Sequence, residues 1–400
     1  MSQHSTHPPT PPLALSRWRK LPLCLMVVGG IGCLAGAWLT PRQFGYSYLT
    51  AFMFFLSLTL GALFLVMLQH LFNARWMVPL RRVWEHLACL APVLGLLFLP
   101  ILLNVWFASR ENAVYPWVYD EFRSDPRQSF KALLLNRAVF GWGALLLFGL
   151  WTVLAWSLRR WSLQQDQTGN DGLVTTMRRT SAGGLVLYAL SLSAAAVFWM
   201  MSLDHHFYST MYGVYYFAGS VWVTLATSYL LAVMLQAIGP LRPVIRPGTL
   251  HDTSVLFFTF TLFYGYIVYS QYFLTWNAAI PEEAHWYVLR EQGSWLAVAV
   301  ALLIGHFFVP FLALLRSGAK TALKVMLPVC GLAWVMHYLD MTYQIKPVLN
   351  PDGWTPHWLD LAAFCFIGGT LTHRFIVWFK AHAPYPQRDP RLTAVGESSS

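Results

Sequence analysis

Ten apolar runs, each about 20 residues long or longer, recur along this 400-residue chain and limit what it can fold into. They lie near 20–39, 48–71, 83–107, 134–158, 181–202, 209–238, 250–276, 294–315, 322–345 and 358–379. A helix rises about 1.5 Å per residue, so about 20 residues cross a hydrocarbon core roughly 30 Å thick. Backbone amides and carbonyls find no water there, and a helix satisfies them internally. A composition of 56% hydrophobic, 16% aromatic and 11% charged residues leaves too little polar surface for a soluble protein of this size. The expected fold class is an all-α polytopic membrane protein with about ten transmembrane helices.

Charge tests the count independently. With alternate loops on opposite sides, 19 of the 27 basic residues fall on the side of the N-terminus, including Arg81, Arg82, Arg159, Arg160, Arg178 and Arg179, and 8 fall on the other. A count wrong by one would scramble this split. Basic residues gather in cytoplasmic loops, so both termini are expected in the cytoplasm. The net charge of +10 then reflects topology and contact with anionic lipid, and no pattern points to nucleic acid.

The ends are polar. Residues 1–19 are proline-rich and expected to be disordered, as are residues 381–400. Arg17 to Lys20, before an apolar run ending in Ala35-Gly36-Ala37, resemble the start of a secretory signal. The run from Leu21 to Leu39 exceeds the usual apolar core of a signal, which favours a retained helix.

Cys24, Cys33, Cys89, Cys330 and Cys365 are isolated in apolar runs with no CxxC spacing, so neither an iron–sulfur cluster nor a structural zinc site is indicated. Of 13 histidines, only His306 and His337 lie deep in predicted spans. They are the candidates for paired haem ligation, a reading disfavoured because the other intramembrane histidines cluster near span ends. The chain has no Gly-rich phosphate loop and no GxSxG or HExxH signature. It is expected to carry no redox centre or metal of its own.

Polar groups in the seventh run form two rows at helical spacing. Asp252, Thr259, Tyr266 and Ser270 make one; Thr253, Thr261, Tyr264, Gln271 and Thr275 make the other. Such groups are costly in hydrocarbon unless bonded inside a bundle or beside water, so they read either as interhelical hydrogen bonds or as a proton or quinone path. Glu85-His86 opens the third run and His251-Asp252 the seventh; Asp204-His205-His206 forms a hinge on the opposite face. His337 and Asp340, three apart, share one helix face and can pair or pass a proton. For Glu85 and Asp252, structural pairing or complementing a helix N-terminus is an adequate alternative. The candidate proton route comprises Glu85, His86, Asp252, Thr259, Tyr264, Tyr266, His306, His337, Asp340 and Asp204, as two half-routes: inward from Asp252 past Thr259 and Tyr266, outward through His337, Asp340 and Asp204.

Spans two to five and six to nine begin in the same orientation, and in each set the second helix opens with an acid and a histidine. Such a repeat predicts two four-helix bundles, 48–202 and 209–345, with helices 20–39 and 358–379 at the periphery.

The stretches RWMVPLRRVWEH (75–86), MSLDHHFYSTMYGVYYFAGS (201–220) and HDTSVLFFTFTLFYGYIVYSQYFLTWNAAIPEE (251–283) resemble the NrfD-like membrane subunits of alternative complex III, the ActF type most closely. None is a short catalytic signature, so the resemblance speaks to family more than mechanism. It implies a subunit of a quinol:cytochrome c oxidoreductase in the bacterial inner membrane. Partners would be a second NrfD-like subunit, an iron–sulfur protein and a multihaem cytochrome c, with iron–sulfur clusters and haem c held by those partners. In that family the sister subunit is placed to oxidise quinol, and the ActF type is associated with a proton route; quinol remains a candidate ligand. The histidine-rich hinge at 204–206 departs from the expected pattern. The chain itself is expected to serve as a scaffolding subunit or to line a proton route. The alternatives are a quinol-oxidising subunit and a secondary transporter; Pro92 and Pro100 in span three lack counterparts in span seven, which weighs against transport.

The topology has a direct test. In intact cells, a cysteine introduced at Gln164 should resist a membrane-impermeant thiol reagent, while cysteines at Asn112 or Ala284 should react. The reverse pattern would mean a miscounted span.

Overall fold

The structure is a computed structural model that describes residues 20–119, 133–204 and 207–389. Among the described residues ten helices are long and apolar enough to cross a membrane, matching the sequence reading. They are span one (Lys20–Leu39), two (Pro41–Phe72), three (Val78–Phe107), four (Arg137–Thr168), five (Gly172–Leu203), six (Tyr212–Ile238), seven (Pro247–Ala278), eight (Trp295–Leu315), nine (Leu323–Val348) and ten (Trp358–Lys380).

Spans two to five pack as one group and six to nine as a second, joined mainly where span two lies along span six; spans one and ten pair outside and lean on span two. Span two is therefore enclosed on nearly every side, and its residues from Gly45 to Leu63 are buried without interruption. A helix apolar all round is what such a position requires. Its backbone comes close to span six at Gly61, where a Cβ would stand 2.5 Å from the Ser220 carbonyl oxygen.

Two spans are interrupted, each beside proline. Span three divides into Val78–Ala88, Ala91–Leu97 and Leu99–Phe107, with Pro92 and Pro100 opening the second and third pieces. Span eight contains a π-helical turn, Leu303–Phe308, directly before Pro310. Proline lacks the N–H that would bond the carbonyl four residues back, here that of His306, and its ring crowds that carbonyl; one wider turn accommodates both. The two interruptions do not occupy matching positions of the repeat, so the inverted or parallel broken helices of a transporter are not reproduced.

Indole-to-hydroxyl hydrogen bonds tie the spans at several levels: Trp84 Nε1 to Ser228, Trp151 to Ser191, Trp222 to Thr261 and Trp334 to Thr227, all at 2.6–2.9 Å. Each gives a partner to an indole N–H that hydrocarbon would leave unpaired, while the hydroxyl donates its own proton to a backbone carbonyl. At one end of the bundle, Asp360 of span ten accepts a hydrogen bond from Ser47 at 2.5 Å and forms an ion pair with Lys346, fastening spans two, nine and ten.

The last described residues correct one expectation. Residues 381–389 have no regular secondary structure, yet they are docked. Asp389 is buried in an ion pair with Arg81 at 2.6 Å, the Gln387 N–H donates to Asp166 and the Arg388 guanidinium donates to the Gln167 carbonyl. Two buried guanidiniums at 81 and 82 demand carboxylates, and the tail supplies one. The expected disorder of 1–19 and 390–400 concerns residues outside those described.

Spans one and ten meet almost backbone to backbone. A Cβ at Gly29 would lie 2.4 Å from the Phe366 amide nitrogen, and one at Gly369 would lie 2.6 Å from that of Met26. Small residues permit this approach, and dispersion then holds the pair. Gly29→Val should lower stability in detergent by about 1–3 kcal/mol. Gly183→Ala, where nothing lies within 4 Å, should be neutral. Thermal unfolding of the purified variants measures both.

Candidate functional site

Polar side chains gather in two places. The first lies where spans three, four and ten end together. Arg82 donates to Glu85 at 2.7 Å and also pairs with Asp166; Arg81 lies 3.5 Å from Glu85 and pairs with Asp389. Two buried guanidiniums thus face three carboxylates. Glu85, expected to admit protons, is neutralised on both sides by arginine and serves to hold helix ends together. His86 is fully buried against the rings of Phe375, Phe379 and His382.

The second lies inside bundle two and draws on five spans. His337 of span nine hydrogen-bonds Ser57 of span two at 2.8 Å through Nε2. Ser57 gives its single hydroxyl proton to the Phe54 carbonyl at 2.6 Å, so it accepts from His337. His337 therefore carries its proton on Nε2 and turns the Nδ1 lone pair the other way. His306 of span eight is clamped between Trp222 and Tyr264, with ring centroids 3.8 Å away on both faces. Its own centroid is 6.4 Å from that of His337.

Asp340, one helical turn beyond His337, accepts a hydrogen bond from Tyr215 on Oδ1. Tyr215 is itself the acceptor for Tyr264 at 3.0 Å and for Gln344 Nε2 at 2.8 Å, because its only proton is committed to Asp340. Tyr212 donates to Gln344 Oε1 at 3.0 Å. Beyond this row sits Arg290, whose guanidinium donates to the carbonyls of Tyr343, Gln344 and Trp286 at 2.9–3.0 Å and stacks on Trp286 at 3.5 Å. Burial lowers the Arg290 pKa from its usual value to about 10, so it stays charged at neutral pH; the nearby Asp204 carboxylate partly offsets that burial. Hydrogen bonds thus link Asp340, Tyr215, Tyr264, Gln344 and Tyr212 in one row, with the Ser57–His337 pair beside Asp340, within 4.8 Å, and Arg290 at the other end on the Gln344 carbonyl.

The structure unites His306, His337, Asp340 and Tyr264 of the expected residues and places Asp204 at the far end of their row. Thr259, Tyr266 and Asp252 lie elsewhere, which corrects the proposed inward half-route. Tyr266 is 64% exposed on the outer face of span seven, and Thr259 is exposed and bonds back to the Val255 carbonyl. The Asp252 side chain is 43% exposed and lies 3.3 Å from His251. Span seven turns its other row inward: Thr253, Thr261, Tyr264, Gln271 and Thr275 are buried. Both rows could satisfy a bundle; the choice depends on what packs alongside. His205 and His206 lie outside the described residues.

Sequence reasoning missed Ser57, Tyr212, Tyr215, Trp222, Arg290 and Gln344. The phenols at 212 and 215 share a helix face at i, i+3, a signal present in the stretch YGVYYF. Ser57 gave none, since a hydroxyl in an apolar helix usually bonds its own backbone.

A cleft of about 590 Å³ opens beside spans one, two and three, lined by Leu34, Phe44, Tyr48, Asn104, Phe107 and Phe366 among others. Its two polar side chains of note are engaged: Tyr48 donates to the Leu97 carbonyl, and Asn104 bonds the Val114 amide and the Asn112 carbonyl. The cleft suits an acyl or isoprenoid chain better than a quinol head group, which needs hydrogen-bond partners. No family model matches this chain, and no curated protein matches it.

Glu85→Gln should destabilise the protein by about 3 kcal/mol, because removing one partner leaves buried guanidiniums uncompensated. Denaturant titration of purified protein checks this, and proton movement in the folded fraction should be unchanged.

Proposed function

We propose that the chain is an integral membrane subunit of a quinol-oxidising respiratory complex of the alternative complex III kind, and that its own residues carry protons while partner subunits carry electrons. The observation that carries this reading is the buried row from His337 and Asp340 to Tyr212 and Arg290. Structural hydrogen bonds between helices do not need a carboxyl group at such depth, and an ionisable group there marks function by default. The row offers groups that exchange protons: the Asp340 carboxyl and the Tyr215 phenol are hydrogen-bonded, Tyr264 hydrogen-bonds Tyr215, and the His337 imidazole has a nitrogen within 4.8 Å of a carboxyl oxygen. Asp340 is the group that gains and loses the proton, Tyr215 passes it, and Gln344, an amide, orients the two phenols. Transfer from Tyr215 to Tyr212 needs one bridging water. Arg290 fixes the end of span nine and sets a positive potential at the exit, which discourages return. In the orientation expected from the loop charges, this exit faces away from the cytoplasm.

The absence of a quinol-like head-group site in the apolar cleft weighs against the quinol-oxidising alternative. Expressed without partners, the protein should show no haem or iron–sulfur absorbance; a stoichiometric haem b spectrum would overturn the assignment. In the assembled complex in vesicles, Asp340→Asn and Tyr215→Phe should each leave quinol oxidation intact and cut the coupled proton movement by about 100-fold, the low end of what a positioned proton-transfer group contributes. Asp252→Asn, an exposed position, should have no effect. Full proton movement in both interior variants would make the row structural.

A further inference from the structure

We propose that His306, His337 and Asp340 form a binding site for one divalent transition-metal ion of the zinc class. Their nearest donor atoms all lie within 4.8 Å of one another, and all three residues are fully buried. The remaining atoms argue for a ligand. Both ring nitrogens of His306, Nδ1 of His337 and Oδ2 of Asp340 make no hydrogen bond among the described residues. Every member of the group thus keeps at least one buried polar atom without a partner, which is costly to leave unmade.

The surroundings resemble the support that a metal site uses. A ligating histidine commonly donates its second nitrogen to an acceptor that fixes its tautomer and orientation. His337 does this toward Ser57, and the proton accounting above leaves Nδ1 as the free lone pair. A ligating carboxylate is likewise held through its other oxygen, and Tyr215 holds Asp340 through Oδ1, leaving Oδ2. His306 is held instead by two flat rings that restrict it to motion in its own plane. Gly219 keeps the wall beside His337 thin: a Cβ there would lie 3.0 Å from Cε1 and 3.4 Å from Nδ1.

Two imidazoles and one carboxylate are the donor set of many zinc centres, with Zn–N and Zn–O distances of about 2.0–2.2 Å. Drawing the three donors to that distance needs movements of roughly 1–1.5 Å, within reach of side-chain rotation. The wide π-helical turn carrying His306 provides room for it. No thiolate is in the group, which argues against copper(I) and favours an ion at home with nitrogen and oxygen. A fourth position remains for the Tyr264 hydroxyl or a water. Coordination would occupy the Nδ1 and Oδ2 lone pairs that proton transfer needs, so the bound ion would halt the relay. That consequence rests on the proton reading above, whereas the binding itself does not.

The full-length protein, tag removed and stripped by chelator, is titrated with Co2+. One equivalent should produce the visible ligand-field bands of a four- or five-coordinate N/O site, and Zn2+ should abolish them. His306→Ala and Asp340→Asn should each weaken binding by about 100-fold or more, and Ser57→Ala, which acts only through His337, by about 10–100-fold. Zinc-edge X-ray absorption of the wild-type protein requires no variant to fold and should show two imidazoles with oxygen completing the shell. Absent bands in the wild type, bands unchanged in the variants, or sulfur scattering would overturn the site. If the ion binds as described but Zn2+ leaves proton movement in vesicles unaffected, the site stands and the relay reading falls.

Discussion

Burying a polar group in a place with no water obliges it to find a partner inside the protein, and this constraint shapes every part of the molecule. The backbone meets it by forming helices. The side chains meet it by crossing between helices, as when four tryptophan indoles each donate to a serine or threonine on a neighbouring span. Without a difference in hydrophobicity between lipid and protein interior to drive association, these bonds and close packing hold the spans together. That is why span two, enclosed on almost every side, joins shape complementarity at Gly61 to hydroxyls that bond their own backbone, such as Thr50.

The two polar clusters meet the constraint in opposite ways. At the Arg81 end, charges are matched locally: Glu85, Asp166 and Asp389 answer two guanidiniums, and the final described segment is recruited to complete the match. Such a cluster fastens helix ends and has little freedom to exchange protons without disassembling. In bundle two, a carboxyl group meets phenols, an amide and imidazoles, and several lone pairs stay uncommitted. The difference in chemistry is the basis for proposing a structural part for one cluster and a functional part for the other.

The π-helical turn in span eight links local sequence to the geometry of the second cluster. Pro310 prevents the regular bond to the His306 carbonyl, the turn widens, and His306 enters the slot between Trp222 and Tyr264. A regular helix there would alter the direction of the imidazole. Wide turns of this sort occur often at functional sites, and here the cause is a single imino acid, Pro310, four residues after His306.

Periodicity and length were enough for the ten spans, because hydrocarbon thickness and backbone hydrogen bonding leave a chain of this composition no other solution. The shared helix face of His337 and Asp340 was equally legible, since residues three apart on a helix lie on one side whatever surrounds them. Which face of span seven turns inward was not: Asp252, Thr259 and Tyr266 form as regular a row as Thr253, Thr261 and Tyr264, and only packing against span six and span eight chose between them. The union of His306 with His337, the fixing of its tautomer by Ser57 and the shielding of Glu85 by Arg81 and Arg82 lay beyond the sequence as well. Of these, the histidine pair and Ser57 depend on contacts between spans far apart in the chain. Arginine and glutamate at i, i+3 and i+4 were readable as neighbours, but their burial was decided by spans four and ten closing over them.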